Sequence, residues 1–227
     1  MRILMTGASG LLGSYLLPVL VRDGHQVVAL IHQPHHHASS GGQHQEVHGD
    51  VGKRWLGLDQ APAGGEFDAI VHAAGLVSFK SRDREKLFLV NLTGTQHVAE
   101  LAELWEISCF FVSTAYVCGD FKGIFPTDRV DVGQNHRNEY ERSKYAAEIA
   151  LACFPKLQYT VIRPSILVGD SKLRGIPPMS GLYVAVRACY LGKRWLERKA
   201  GLPPIEPHIR LPGDPEATLN LIPVDIA

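Results

Sequence analysis

A doubly wound parallel α/β sheet is the fold this sequence predicts, and three observations predict it. Short aliphatic and β-branched runs alternate with segments of helical period through most of the 227 residues. The first run passes directly into a glycine turn that opens a helix. The runs are bounded by Gly, Asp, Pro or Ser and are apolar throughout, as strands covered on both faces are.

Taken in order, the expected strands are residues 2–5, 27–31, 69–71, 109–112 and 159–162, with a further third strand ahead of His48-Gly49-Asp50-Val51. The expected helices are 11–21, 83–90, 95–105, 140–153 and 182–191. Strand and helix in alternation require crossovers of one hand, which leaves the doubly wound arrangement. Residues 1–168 are expected to form the sheet domain. Residues 169–227, broken by Pro- and Gly-rich stretches at 169–180 and 201–215, are expected to form a partial lobe on the substrate side, resting on the strand ends. Residues 32–48 break the rhythm, with six of the eleven histidines and no apolar period. Three of those histidines, His35, His36 and His37, are consecutive and poorly spaced to converge on one ion, so a polar loop is expected there and no metal.

Composition narrows the function classes. Apolar residues at 45% and charged residues at 20% describe a globular chain rather than a disordered one. Lys+Arg 23 balances Asp+Glu 23, so there is no basic excess for nucleic acid. No run approaches the roughly eighteen apolar residues of a membrane span, and the chain opens on a strand rather than a signal peptide. Cys109, Cys118, Cys153 and Cys189 show no CxxC spacing; reduced thiols in a soluble cytoplasmic protein are expected.

The first chemical motif is Thr6-Gly7-Ala8-Ser9-Gly10-Leu11-Leu12-Gly13, placed between strand and helix. Gly7 permits a turn that a Cβ would block. Gly10 lets the backbone around Ser9, Leu11 and Leu12 approach a pyrophosphate, and Gly13 lets the helix pack close to the sheet. The helix N-terminus adds partial positive charge. A dinucleotide is therefore expected. The second strand ends Ala29-Leu30-Ile31-His32-Gln33 without the carboxylate that would hold a ribose diol, and His32 could donate to a 2′-phosphate. NADP(H) is favoured, with NAD(H) admitted. Asp50, beside Val51, either accepts from an adenine amino group or simply forms a turn. Small residues Ala73, Ala74 and Gly75 let the cofactor lie across the sheet between the first and fourth strands, with His72 packed at a strand end.

The second motif is Tyr140-Glu141-Arg142-Ser143-Lys144, which sets a phenol and an ammonium on one helix face. A phenol of pKa ~10 needs a nearby cation to reach the working range, and Lys144 is placed to supply it and to hold ribose hydroxyls. Thr114, at the carboxyl edge of the fifth strand, can hydrogen-bond a substrate carbonyl beside that phenol. Asn91 either relays protons through water or braces the backbone. Pro164, Ser165 and Ile166, after Arg163, are expected to run beside the nicotinamide. Glu100, Glu103, Glu139, Glu141 and Glu148 lie near Arg or Lys on helices and read as solvated faces. Paired-carboxylate hydrolysis and a cysteine nucleophile have no support.

Together, residues 6–13, 50–51, 72–75, 91–95, 113–119, 140–144 and 163–165 resemble the extended short-chain dehydrogenase/reductase superfamily, in order and over nearly the whole chain. The resemblance implies a Rossmann fold, with Thr114, Tyr140 and Lys144 as a catalytic triad and Asn91 as its supporting fourth member. Gly49-Asp50-Val51, Leu56-Gly57-Leu58, Val77-Ser78-Phe79, residues 138–148 and Leu221-Ile222-Pro223-Val224-Asp225 look like the thioester reductase and fatty acyl-CoA reductase branch. That branch uses NADPH to reduce an acyl thioester, on an acyl carrier protein or CoA, to an aldehyde or alcohol. A homodimer is also compatible with it. The family carries further chain after the Pro-Val-Asp segment, whereas this sequence stops at Ala227, so either a fragment of a longer protein or a reduced cap is expected, with the lobe partial in both cases. The alternatives are a nucleotide-sugar epimerase or dehydratase, or a ketone or alcohol dehydrogenase. A non-catalytic dinucleotide sensor is disfavoured by intact Tyr140 and Lys144.

Overall fold

The apolar runs form the centre of a six-stranded parallel sheet. The computed structural model describes residues 1–32, 44–58, 66–172, 182–200 and 218–227. Its main sheet is built from β1 (Arg2–Thr6), β2 (Gln26–Ile31), β3 (Gln45–His48), β4 (Ala69–His72), β5 (Ser108–Val112) and β6 (Tyr159–Ile162), in the order β3-β2-β1-β4-β5-β6. The chain runs outward from β1 to β3, then returns to β4 on the other side of β1. That reversal opens a crevice at the carboxyl ends of β1 and β4, where an open α/β sheet receives its ligand.

Alternation along the strands sends side chains to two cores. Leu4, Val28, Leu30, Ile70 and Phe111 pack on one face with Val98 and Leu101 of α3 (Gly94–Leu104) and Leu151 of α4 (Glu139–Leu151). Ile3, Met5, Ala29, Ile31 and Val71 pack on the other, under Leu16, Leu17 and Leu20 of α1 (Leu11–Arg22).

The expected third strand is Gln45–His48, at the end of the polar run 32–48; it pairs in parallel with Val28–Ile31 at the sheet edge, where polar residues are tolerated. His35, His36 and His37 lie outside the described residues. Two expectations need correcting. The expected helices 83–90 and 95–105 form one path: α2 (Arg84–Phe88) passes through a π turn at Leu89–Thr93 into α3, and that turn buries Asn91. Glu141 and Glu148 are buried rather than solvated, at 3% and 4% exposure. Glu141 closes the start of α4, accepting from Asn138 Nδ2 (3.0 Å) and the Arg137 N–H (2.8 Å) while its own N–H donates to Asn138 Oδ1 (2.9 Å). Glu148 pairs with Arg163 across 2.7 Å. Charges along one helix do not reveal a partner that arrives from the end of a strand.

Arg163 ties the chain after β5 into place. Its guanidinium donates to Glu148 and to the Pro126 carbonyl (2.9 Å), and lies 5.3 Å from the Phe125 ring centre. A second, two-stranded sheet pairs β7 (Ile166–Val168) with β8 (Leu221–Pro223). Asp225 accepts from the Ser171 N–H and hydroxyl (2.8 and 2.6 Å), and Tyr15 on α1 hydrogen-bonds Asp170. The remaining helix, α5 (Leu182–Ala200), runs about two and a half turns beyond its expected end at 191. Among the described residues no helix is long and apolar enough to cross a membrane.

The Arg163–Glu148 pair should matter for stability. Glu148→Gln leaves a mostly enclosed guanidinium without its counter-charge, and a loss of about 3 kcal/mol is expected. A lower urea midpoint with an unchanged slope would register it; an unchanged midpoint would show that the pair does not support the fold.

Candidate active site

The carboxyl ends of β1 and β4 meet through backbone rather than side chains. Gly7 takes φ +77°, and a Cβ there would overlap the Ala73–Ala74 backbone; one on Gly13 would strike the Gly7 carbonyl. The start of α1 has neither a side-chain cap nor an acid in its first turn. The N–H groups of Leu11, Leu12 and Gly13 therefore have no partner within the helix and open beside exposed Ser9 and Gly10. This uncapped, glycine-lined end fits an anion such as a pyrophosphate.

Behind the cradle, His72 bridges two elements. It is fully buried, with Nδ1 2.7 Å from Thr6 Oγ1 and Nε2 3.1 Å from Thr95 Oγ1. Thr95 donates its proton to the Asn91 carbonyl (2.6 Å) and so receives one from Nε2. Thr6 then donates to Nδ1 while accepting from the Ala74 N–H (3.2 Å). Burial, followed by the field of Lys144, pushes His72 down to about 3. It is a packed strand-end residue, as the sequence suggested.

Asn91 is buried and joins two segments of the chain. Its Oδ1 accepts from the Leu76 N–H (2.7 Å), and its Nδ2 donates to the Leu76 carbonyl (3.0 Å) and to Ser143 Oγ on α4 (2.9 Å). A Cβ on Gly75 would stand 3.4 Å from Asn91 Oδ1 and 3.9 Å from Lys144 Nζ. The end of β4, the π turn and α4 thus converge at Gly75.

Lys144 reaches that point from α4, and Tyr140 on the same helix meets Thr114, which follows β5. The Tyr140 hydroxyl hydrogen-bonds the Thr114 side chain. Thr114 Oγ1 also accepts from the Tyr116 N–H (3.3 Å). Lys144 Nζ donates to the Val112 carbonyl (2.7 Å) and sits 4.2 Å from the Phe111 ring centre. The expected downward pull of Lys144 on the phenol is not among the influences on Tyr140. Burial of the hydroxyl raises Tyr140, with Thr114 opposing, and burial also draws Lys144 down to about 7, with Glu148 opposing. Both shifts have one cause, because the enclosed end of α4 disfavours charge on either group.

At the outer end of the crevice, Asp50 performs the turn-forming role with one oxygen, accepting from the Gly52 N–H (2.9 Å). Its other oxygen lies 3.8 Å from His32 Nδ1. Val51 packs against Gly94 at the start of α3. On the far side, the Pro164 carbonyl accepts from the Ala115 N–H (2.8 Å), Ser165 contacts Asn220 (3.2 Å) and Ile166 enters β7. Two aromatic neighbours of Tyr140 entered the sequence reading only as parts of resembling segments, with no place at the site. The Phe79 ring lies 5.9 Å from that of Tyr140 at 81°, and Tyr116 is close enough to act on its hydroxyl electrostatically. The signal for Tyr116 was its position two residues after Thr114; nothing in the sequence marked Phe79 as a neighbour of Tyr140.

Known proteins share this architecture. The UDP-glucose 4-epimerase of Haemophilus influenzae is 30% identical over 194 residues, 78% of this chain and 57% of that protein. This chain spans about half the length of the curated relatives it matches. The terminal R domain from the myxalamid PKS-NRPS biosynthetic pathway aligns with a TM-score of 0.79 at 24% identity, over 99% of this chain and 59% of its own. MoeE5 in complex with UDP-glucuronic acid and NAD aligns at 0.67 and 22% identity, over 83% of this chain and 61% of its own. Residues 3–202, which hold the glycine cradle, the His72 bridge and the Tyr140 helix alike, match the NAD dependent epimerase/dehydratase family, and the chain belongs to it.

Proposed function

We propose that this chain carries an NADPH-dependent reduction of an acyl thioester, linked to CoA or a carrier protein, to an aldehyde or alcohol. The observation that carries this reading is the reach of the R-domain likeness. It takes in 99% of the chain, against 83% for MoeE5. A nucleotide-sugar epimerase is the second reading, favoured by the Haemophilus relative.

The residues divide the work by position. The 7–13 turn would hold the pyrophosphate, His32, Asp50 and Val51 the adenosine end, and Ala73, Ala74 and Gly75 the span across the sheet. Lys144 with Pro164, Ser165 and Ile166 would hold the nicotinamide side. NADPH, when held there, would supply the hydride for the thioester carbonyl carbon. Thr114 and Tyr140 hydrogen-bond the carbonyl oxygen; the Tyr116 N–H, donating to Thr114 Oγ1, holds the Thr114 side chain beside the Tyr140 hydroxyl. Burial keeps Tyr140 protonated, which suits a group that must give its proton to the developing oxyanion. Collapse of the hemithioacetal breaks the C–S bond, releases thiolate and returns the hydroxyl proton to Tyr140. Asn91 acts as a positioning residue through Leu76 and Ser143.

Incubation with NADPH and a series of acyl-CoA or acyl-pantetheine compounds should consume NADPH. Tyr140→Phe should lower kcat at least about 100-fold while leaving NADPH affinity within about threefold. Full activity in that variant would remove Tyr140 from the role of acid. An NAD that stays bound until denaturation, with sugar-nucleotide interconversion and no net oxidation, would favour the epimerase.

Coenzyme preference should respond at the end of β2. His32→Glu, which places a second carboxylate beside Asp50, should weaken NADPH at least about tenfold relative to NADH. Equal losses for both coenzymes would separate His32 from the 2′-phosphate.

Lys144 gives a pH signature. Its folded value of about 7 lies below its ordinary 10.5, so between those values the unfolded chain binds more protons and stability rises with pH. Lys144→Met should therefore stabilise the cofactor-free protein most near neutral pH and progressively less toward alkaline pH. Urea midpoints from about pH 6.5 to about pH 9.5 test this, and a difference that stays constant with pH would contradict it.

A further inference from the structure

Beside Tyr140 the structure holds an apolar surface that the fold does not use. The Phe79 ring meets Tyr140 through an edge-on contact and is otherwise left 60% exposed, and Val77 is 43% exposed. Neither belongs to the two hydrophobic cores. The strap that carries them is nonetheless fixed. Both polar groups of the Leu76 backbone are held by the Asn91 amide, at 2.7 and 3.0 Å. Ser78 donates to Asp83 Oδ2 (2.5 Å) and accepts from the Lys80 N–H (3.3 Å). The same Asn91 donates to Ser143, whose hydroxyl donates to the Tyr140 carbonyl (2.8 Å). One buried amide therefore sets the strap and the phenol in register.

Ordering a backbone has an entropic cost, and exposed apolar surface on an ordered segment next to a reactive hydroxyl is the arrangement of a preformed ligand wall. We propose that Phe79, with Val77, forms the wall that reads the acyl group: an apolar chain lies along the exposed part of the Phe79 ring while its thioester carbonyl meets Tyr140 and Thr114. This rests on the thioester reading and adds to it the class of acyl group, aliphatic rather than polar or sugar-like. The side chains of Phe79 and Val77 offer no hydrogen bond to a hydroxylated substrate, whereas each methylene laid against them leaves water.

Non-reducible S-alkyl pantetheine thioethers of one, four and eight carbons, measured by titration calorimetry, test the wall without turnover. In the wild-type protein affinity should rise with chain length, by up to about threefold for each methylene buried. Phe79→Ala should flatten that rise, leaving the eight-carbon analogue at least about tenfold weaker and the one-carbon analogue within about twofold. Phe79→Leu should recover most of the loss, and Val77→Ser should repeat the flattening to a smaller degree. With reducible acyl-CoA substrates the Phe79→Ala loss should fall on KM for long chains and spare kcat for acetyl. Equal weakening of all three analogues, or no weakening, overturns the wall. Wild-type binding with no chain-length preference overturns the wall and leaves the thioester reading standing. No thioether binding together with no NADPH consumption overturns both.

Discussion

Full burial and the field of Lys144 keep His72 uncharged, down at about 3, and that neutrality lets one ring nitrogen accept from Thr6 while the other donates to Thr95. A protonated ring would present two donors, and Thr6 could no longer give it a proton. Through Thr6 the bridge reaches the glycine turn and the Ala74 N–H; through Thr95 it reaches Asn91 and hence α4. The glycine turn and the helix that carries the phenol are thereby parts of one hydrogen-bonded body. Every donor and acceptor in the bridge has a partner, which is the condition under which a buried polar network stabilises rather than costs.

The same enclosure shapes the chemistry on α4. Charge is disfavoured at Tyr140 and at Lys144 together, so the phenol keeps its proton and the amine lies near the balance of its two forms. Glu148 limits the fall of Lys144, and Arg163 in turn neutralises Glu148. Arg163 also holds Pro126 and lies over Phe125, so the carboxylate that tempers the amine also secures the chain following β5. Electrostatics and loop placement share one buried pair.

Much of this was legible in the order of residues. Strand positions, the switch point between β1 and β4, the glycine turn and the grouping of Thr114, Asn91, Tyr140 and Lys144 follow from period and local motif, because each depends on neighbours within a few residues or on crossover rules that all such chains obey. The edge strand Gln45–His48 was expected without bounds because an edge needs no apolar face to mark them, and the π turn was hidden because a helical period continues through it. Glu141 and Glu148 were misread because buried and solvated carboxylates look alike along a helix.

The sequence by itself determined the doubly wound sheet, the glycine turn between β1 and α1 and which side chains gather at the crevice, since backbone sterics and hydrophobic period act locally and uniformly. Only the tertiary structure decided the ionisation of those side chains, the hydrogen bonds of Asn91 and the placement of Phe79 against Tyr140. Burial and contact between residues such as Arg163 and Glu148, or Phe79 and Tyr140, arise when separate elements pack, and no spacing along the chain records them.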